Sequence, residues 1–126
     1  MRHLRMAVLA AGLLLPGCAA TWSHGDVKAN PGLAARAPTD AARVIVTEGD
    51  IADRPYEVLG DVEATVNKTT IFHPDPTREL VAAALKERAA QIGADAVIQV
   101  RYGTVGIDLA SWGSLDGKGR AVAFKK

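Results

Sequence analysis

The feature that most constrains the fold is the segment of residues 56–66, in which apolar and polar side chains alternate. One face carries Tyr56, Val58, Val62, Ala64 and Val66, and the other carries Glu57, Leu59, Asp61, Glu63 and Thr65. A period of two predicts a β-strand that is buried on one side and solvated on the other. Gly60, at its centre, predicts a bulge or the close approach of a second backbone. The chain must therefore build a sheet with one covered face.

A helix is predicted after this strand. Asp75 and Pro76 have the residue types of an N-cap and of the first helical position, where a missing N–H costs nothing. The helix should run to about Ile92, with a buried stripe that includes Val81, Leu85 and Ala89. Gly93 is placed to end it in the left-handed conformation. The many alanines on the buried side would let this helix lie close to a sheet.

Further strands are predicted on both sides of these two elements. They cover residues 42–47, 94–102 and 120–125, with 104–112 continuing the second of them past a bend and 113–119 forming a glycine-rich turn. In the strand at 94–102, one face should carry Ala96, Ile98, Val100 and Tyr102. The predicted fold is α+β, a small two-layer sandwich in which one helix covers a mainly antiparallel sheet, in the order β-β-α-β-β.

The N-terminus has the pattern of an export signal. Residues 1–5 are positively charged, and residues 6–15 form an apolar stretch that is too short to span a bilayer of about 30 Å as a helix. We therefore interpret residues 1–17 as a signal peptide. The sequence Leu15-Pro16-Gly17-Cys18 is similar to the lipobox of bacterial lipoproteins, which predicts Cys18 as the lipid-attachment residue. The alternative is that Cys18 is a buried, small apolar side chain.

Residues 18–41 are rich in alanine, glycine, proline and polar residues and show no periodicity, so we expect a flexible, lipidated tether before a folded domain at residues 42–126. Trp22 and His24 would lie near the lipid, either at the membrane interface or simply exposed on the tether. Ala19 after the cysteine predicts sorting to the outer membrane, where the domain would sit in the periplasm. We therefore expect the protein to bind the membrane through a lipid anchor.

Composition excludes several classes of protein. The net charge is +1, and without Arg2 and Arg5 the chain has 13 basic and 14 acidic residues. A near-neutral domain without a basic run is not expected to bind nucleic acid. The single cysteine excludes an internal disulfide and a cysteine-cluster metal site within one chain. Because the core of so short a domain is small, we expect a protein partner or a homo-oligomer.

No cofactor or metal site is predicted. The candidate metal ligands are His73, Asp75, Asp61 and Glu63, whereas zinc requires three or four converging donors. A loop that leads into a helix cap accounts for His73 and Asp75 equally well.

Catalytic residues are not predicted either. Ser111, Ser114 and His73 lack the spacing of a nucleophile and its base, so we do not expect an enzyme. The charged strand face with Glu57, Asp61 and Glu63 is instead a candidate docking surface.

Two segments resemble a known family. Residues 56–62, with the sequence YEVLGDV, and residues 90–98, with AQIGADAVI, resemble the YbjQ-like family and the related RcsF-like lipoproteins, as does GRAVAF at residues 119–124. The resemblance spans about residues 42–125. It implies an α+β domain that forms rings without known catalysis, as in YbjQ-like proteins, or that senses envelope stress through partner proteins, as in RcsF-like lipoproteins. RcsF-like domains are braced by disulfides, which this chain cannot form.

The function predicted from the sequence is that of a non-catalytic envelope lipoprotein, anchored in the membrane, that acts through protein contacts in sensing or assembly. The alternative is an oligomer that binds a metal or another small ligand between its subunits. A hydrolase is a third and weaker hypothesis.

Overall fold

The structure is a computed structural model that describes residues 21–33, 35–70, 72–103, 106–108 and 111–125. The predicted signal peptide and Cys18 lie outside these residues. The elements are the strands β1 (Thr21–Ala29), β2 (Ile45–Val46), β3 (Tyr56–Lys68), β4 (Ala96–Tyr102), β5 (Gly106–Asp108) and β6 (Ser111–Phe124), the helix α1 (Arg78–Gln91), and a 3₁₀ turn at Ala41–Arg43.

The strands form one sheet in the order β1-β3-β6-β4-β2, and β5 pairs with β6. All pairings are antiparallel except that of β2 with β4. Helix α1 packs on one side, which we call the inner face; the opposite side is the outer face. The predicted α+β fold with one helix on a mainly antiparallel sheet is therefore confirmed. The predicted order β-β-α-β-β is too short, because β1 and β5 are additional strands.

Strand β1 lies in the segment that was predicted to be a tether. It pairs with β3 over its whole length, from Thr21 opposite Lys68 to Ala29 opposite Gly60. These residues therefore form a strand of the sheet rather than the flexible tether that the sequence predicts. An edge strand is held mainly by backbone hydrogen bonds to one neighbour, so it needs no apolar alternation. In β1, only Thr21 and Val27 are partly buried.

Strand β3 contains the bulge predicted at Gly60. The register with β6 shifts between Val58 and Gly60, and Gly60 has a φ of +156°. A Cβ added at Gly60 would lie 2.8 Å from the Cα of Ala29, so β1 can approach only because this residue is glycine. The extra residue reverses the alternation. Tyr56 and Val58 lie on the outer face, and not with Val62 on the inner face as predicted.

Strand β4 has a second bulge, which the sequence did not predict. Its register with β6 shifts between Ile98 and Arg101, and Gln99 has a left-handed φ of 53°. The prediction that Ala96, Ile98, Val100 and Tyr102 share one face is therefore wrong. Ala96 and Ile98 pack on the outer face, whereas Val100 belongs to the inner core.

Strand β6 runs through the residues that were predicted to form a turn. Gly117 and Gly119 lie within it, and a Cβ at Gly117 would be 2.5 Å from Cγ1 of Val81. A Cβ at Gly119 would be 2.6 Å from Cγ1 of Val97. These glycines make room for packed side chains instead of turning the chain. The predicted continuation at 104–112 falls partly outside the described residues; within it, 106–108 form β5.

Helix α1 begins later than predicted. Its N-cap is Thr77, whose hydroxyl accepts a hydrogen bond from the backbone N–H of Leu80, 3.3 Å away. Asp75 instead accepts a hydrogen bond from Lys68 at 2.7 Å. Gly93 has a φ of +78°, as predicted for a residue that ends a helix. In the described part of the chain, no helix has the length and apolar character needed to cross a bilayer.

The inner core joins α1 to β3, β4 and β6. Its buried residues include Val81, Leu85, Val62, Val97 and Val100. Each side chain of this kind contributes about 1.5–3 kcal/mol relative to an exposed position. This core fixes the sheet and so determines what the outer face presents.

Candidate docking surface on the outer sheet face

The outer face has two halves, and the first is apolar and covered. Ala96, Ile98 and Val122 are buried there, with Ile51 packed against them from the loop before β3. The remaining contacts come from Tyr56, Val58 and Phe124.

Polar contacts hold that loop in place. The hydroxyl of Tyr56 donates a hydrogen bond to Oδ1 of Asp50 at 2.8 Å, and this bond is the main cause that raises the pKa of Tyr56. The guanidinium of Arg54 lies 3.9 Å from the centroid of the Phe124 ring. The covered half is therefore occupied by the chain itself.

The second half of the outer face is charged and open to solvent. Directly paired residues of antiparallel strands project from the same face, so the strand register places charged residues of four strands side by side. We call this set the charged face; it consists of Lys28, Asp26, Asp61, Glu63, Asp116, Lys118, Arg120 and Arg101. All eight residues are exposed.

The first row across the charged face alternates in sign. Lys28 lies opposite Asp61, which lies opposite Arg120. Nε of Arg120 is 4.0 Å from Oδ1 of Asp61, at the outer limit of an ion pair. Both side chains are about half exposed or more, so the pair contributes little to stability.

The next row places like charges directly opposite each other. Asp26 lies opposite Glu63, and Lys118 lies opposite Arg101. Like charges in directly opposed positions destabilise a sheet. Glu63 also lies opposite Lys118, so the row changes from acidic to basic between β3 and β6. This arrangement is not the one that would best stabilise the isolated sheet, and it gives the charged face an acidic and a basic side.

A shallow depression of about 350 Å³ lies where the acidic and basic sides meet. It is lined by Asp61, Glu63, Gln99, Arg101, Lys118, Gly119 and Arg120. The bulge at Gln99 adds this polar side chain to the rim. Specific sites for small molecules are usually enclosed and mostly apolar, and this depression is open and charged.

The predicted metal ligands do not converge. Nδ1 of His73 lies 3.1 Å from the backbone nitrogen of Thr70, and Asp75 pairs with Lys68. Asp61 and Glu63 lie on the charged face among basic side chains. Within the part of the chain that the structure describes, no group of three or more histidine, cysteine, aspartate or glutamate residues could hold a metal ion.

The catalytic candidates that the structure describes belong to different elements, with Ser114 in β6 and His73 in the loop between β3 and α1. Ser114 lies opposite Asn67 on β3, while His73 contacts Thr70 in the loop before α1. The side chain of Ser111 lies outside the described residues.

The predicted docking surface is corrected in two ways. Glu57 lies opposite Ala123, a member of the inner core, so the bulge at Gly60 separates it from Asp61 and Glu63. The basic side was missed, although Lys118 and Arg120 continue a period of two that begins at Asp116. Their glycine neighbours indicated a turn, and that interpretation hid the alternation.

Comparison with known proteins gives one distant structural similarity. No protein-family model matches the chain, and a search of curated proteins gave no match. Among solved structures, the chain is similar to the Francisella virulence factor FvfA in its orthorhombic crystal form, with 19% identity and a TM-score of 0.52. The match covers 79% of this chain and 97% of that one. At this identity the similarity shows the fold alone.

Proposed function

We propose that this protein is a non-catalytic envelope lipoprotein that docks another protein on its charged face. The observation that carries the proposal is the row with Asp26 opposite Glu63 and Lys118 opposite Arg101. Two like-charge pairs cost the free domain stability, and a partner with the opposite pattern would neutralise both. Charge complementarity of this kind gives specificity and speeds association more than it adds affinity.

The form of the surface supports a protein rather than a small molecule as the occupant. The charged residues come from four neighbouring strands, spaced about 4.8 Å apart, so the surface is broad. The depression beside Arg101 and Arg120 is too open to enclose a small ligand. The second candidate function, metal or small-ligand binding in an oligomer, would require donors from a second copy, and no contact among the described residues favours it.

Anchorage to the membrane is the second part of the proposal. It rests on the signal-like residues 1–17 and on Cys18 in a lipobox-like sequence. In this proposal, acylated Cys18 holds the domain at the outer membrane and in the periplasm, where it acts in envelope sensing or assembly. The resemblance to YbjQ-like and RcsF-like domains agrees with such a role and stays a prediction.

The docking surface can be tested by site-specific photo-crosslinking in cells. A photoreactive residue in place of Glu63 should give one discrete adduct with another protein, and adding Lys118→Glu should abolish it. The matched control position is Glu87, which is exposed on the opposite side of the sheet. No adduct from position 63, or the same adducts from positions 63 and 87, would contradict the proposal. An adduct with the mass of two copies would identify self-association instead.

A further inference from the structure

Exposed apolar side chains are concentrated at one end of the sheet. Among the described residues, four large apolar side chains are exposed: Trp22 (45%), Ile45 (48%), Phe72 (94%) and Leu80 (41%). Three of them lie at the end where β1 begins, and only Ile45 lies at the opposite end. Scattered single residues of this kind are normal on protein surfaces, whereas a local group marks a contact surface.

The fold brings these three residues to the same end. Trp22 is the second residue of β1 and lies opposite Asn67, near the end of β3. Phe72 follows a few residues after β3 ends, in the loop that leads to α1. Leu80, in the first turn of α1, lines a groove of about 160 Å³ along the start of β1. The register places the side chain of Trp22 on the outer face, and Leu80 lies on the helix that covers the inner face, so the two flank the same end of the sheet. We call Trp22, Phe72 and Leu80 the apolar tip.

Ile45 provides a measure of the distance to the other end. It lies opposite Ala96, which pairs with Val122 and through it with Val58 on β3. Asn67, opposite Trp22, is nine residues further along β3, which corresponds to roughly 30 Å along the strand. The two exposed ends of the sheet are therefore well separated.

The chain itself limits how far the apolar tip can be from Cys18. Thr21, the first residue of β1, is three residues after Cys18. A fully extended chain covers at most about 3.6 Å per residue, so the two Cα atoms are within about 11 Å of each other in any conformation. A lipid attached to Cys18 thus holds the beginning of β1 at the bilayer surface, whereas a long tether would have left the domain free.

We propose that the apolar tip inserts into the lipid interface beside acylated Cys18 and sets the orientation of the domain on the membrane. This inference rests on the proposed lipid anchor. Tryptophan is enriched at membrane interfaces because its ring has an apolar body and a polar N–H. The anchor keeps the tip next to the bilayer, so a contact that would be too weak alone is maintained by the high effective concentration.

The orientation has a consequence for docking. With the apolar tip in the lipid, the strands point away from the membrane, and the end with Ile45 is the most distant one. The charged face then stands roughly perpendicular to the bilayer, where a partner can reach it. A domain that lay flat could bury the charged face against lipid.

The test uses the full lipidated protein in vesicles of phosphatidylethanolamine and phosphatidylglycerol whose acyl chains carry bromine, which quenches nearby tryptophans. The chain has two tryptophans, so Trp112→Phe leaves Trp22 as the single reporter. Two further single-tryptophan variants carry Phe72→Trp or Ile45→Trp in a background with Trp22→Phe and Trp112→Phe. Ile45→Trp is the matched control, because residue 45 lies at the opposite end and is 48% exposed, close to the 45% of Trp22.

We expect loss of fluorescence for the reporters at positions 22 and 72 and none at position 45. Equal quenching at all three positions, or none at 22 and 72 in protein that floats with the vesicles, would overturn the orientation and leave the anchor intact. Protein that does not float with the vesicles would remove the anchor, and the orientation with it.

A second measurement needs no tryptophan variants and covers the case in which one of them fails to fold. Hydrogen exchange is compared between the lipidated protein in vesicles and the Cys18→Ser chain in solution. Amides of residues 72–77 should exchange more slowly in the vesicles, and those of residues 48–55 should be unchanged. The same exchange in both samples at residues 72–77 would also overturn the orientation.

Discussion

Nδ2 of Asn67 lies 3.2 Å from Nδ1 of His24, and this contact joins strand β3 to strand β1 on the outer face. Asn67 is 2% exposed and is the one buried polar side chain among the described residues. The imidazole of His24 also packs against the ring of Trp22, with 5.4 Å between the ring centroids. A segment that resembles a linker in sequence is thus tied to a buried side chain near the end of β3.

Loss of this contact should destabilise the domain. Asn67→Ala is expected to lower the free energy of unfolding by about 1–3 kcal/mol, because it removes a buried hydrogen bond. His24→Ala should also destabilise, since it leaves the buried amide of Asn67 without this partner. Urea unfolding of both single variants and the double variant measures the coupling between them. Strictly additive effects would show that the two side chains do not interact.

Glycine at position 117 should be required for helix packing. Gly117→Ala would place a Cβ 2.5 Å from Cγ1 of Val81, and we expect a loss of about 1–3 kcal/mol of stability from overpacking. The control is Gly49→Ala, where the nearest atom to the added Cβ would be 3.9 Å away. Urea unfolding curves compare the two variants. A Gly117→Ala protein as stable as Gly49→Ala would contradict the close contact of α1 with β6.

The N-cap of α1 should depend on the hydroxyl of Thr77. Thr77→Ala is expected to cost about 1 kcal/mol of stability, because the N–H of Leu80 loses its acceptor. Thr77→Ser keeps the hydroxyl and should be close to the wild type. Thermal unfolding followed by circular dichroism measures both. The assignment fails if serine and alanine have the same effect.

The two tyrosines should make stability fall at alkaline pH. The pKa of Tyr56 is raised above its ordinary value mainly by the hydrogen bond to Asp50, and that of Tyr102 mainly by burial. Both phenols are therefore favoured in the protonated form in the folded state. Their contribution to the stability of the folded state is complete below the unfolded-state pKa of about 10. It is lost as the pH rises through the raised pKa values of the folded state.

Single-tyrosine variants separate these two contributions, since Tyr56 and Tyr102 are the only tyrosines in the chain. Tyr102→Phe leaves Tyr56, and Tyr56→Phe leaves Tyr102. The tyrosinate absorbance of each folded variant should rise at higher pH than in urea. Identical titrations in the folded and unfolded states would contradict the raised pKa values.

The sequence predicted the elements whose signals are local. Strand β3, helix α1 and the first part of β4 have a clear period and, for the helix, a glycine at its end. The bulge at Gly60 was also predictable. Its effect on which sheet face each side chain occupies was not, because one extra residue moves every preceding side chain of the strand to the other face. The bulge at Gln99 had no sequence signal, since glutamine rarely adopts a left-handed conformation.

The parts that could not be predicted depend on pairing between distant segments. Strand β1 has mostly exposed residues, so its hydrogen bonds to β3 leave no apolar pattern in the sequence. Strand β6 contains Gly117, which fits beneath α1, and Gly119, which fits against β4, but in the sequence both equally suggest a turn. The charged face exists only through register, since Lys118 meets Glu63 and Arg101 across three strands. Sequence alone could identify its acidic side but not its basic one.

Lipid attachment at Cys18 is the central claim of this account, and membrane fractionation with a fatty-acid label tests it most directly. The wild-type protein should incorporate the labelled fatty acid and fractionate with the outer membrane. Cys18→Ser should carry no label and leave the membrane fraction, while its circular dichroism spectrum stays that of the folded domain. A Cys18→Ser protein that still fractionates with membranes, or a wild-type protein without label, would contradict the account.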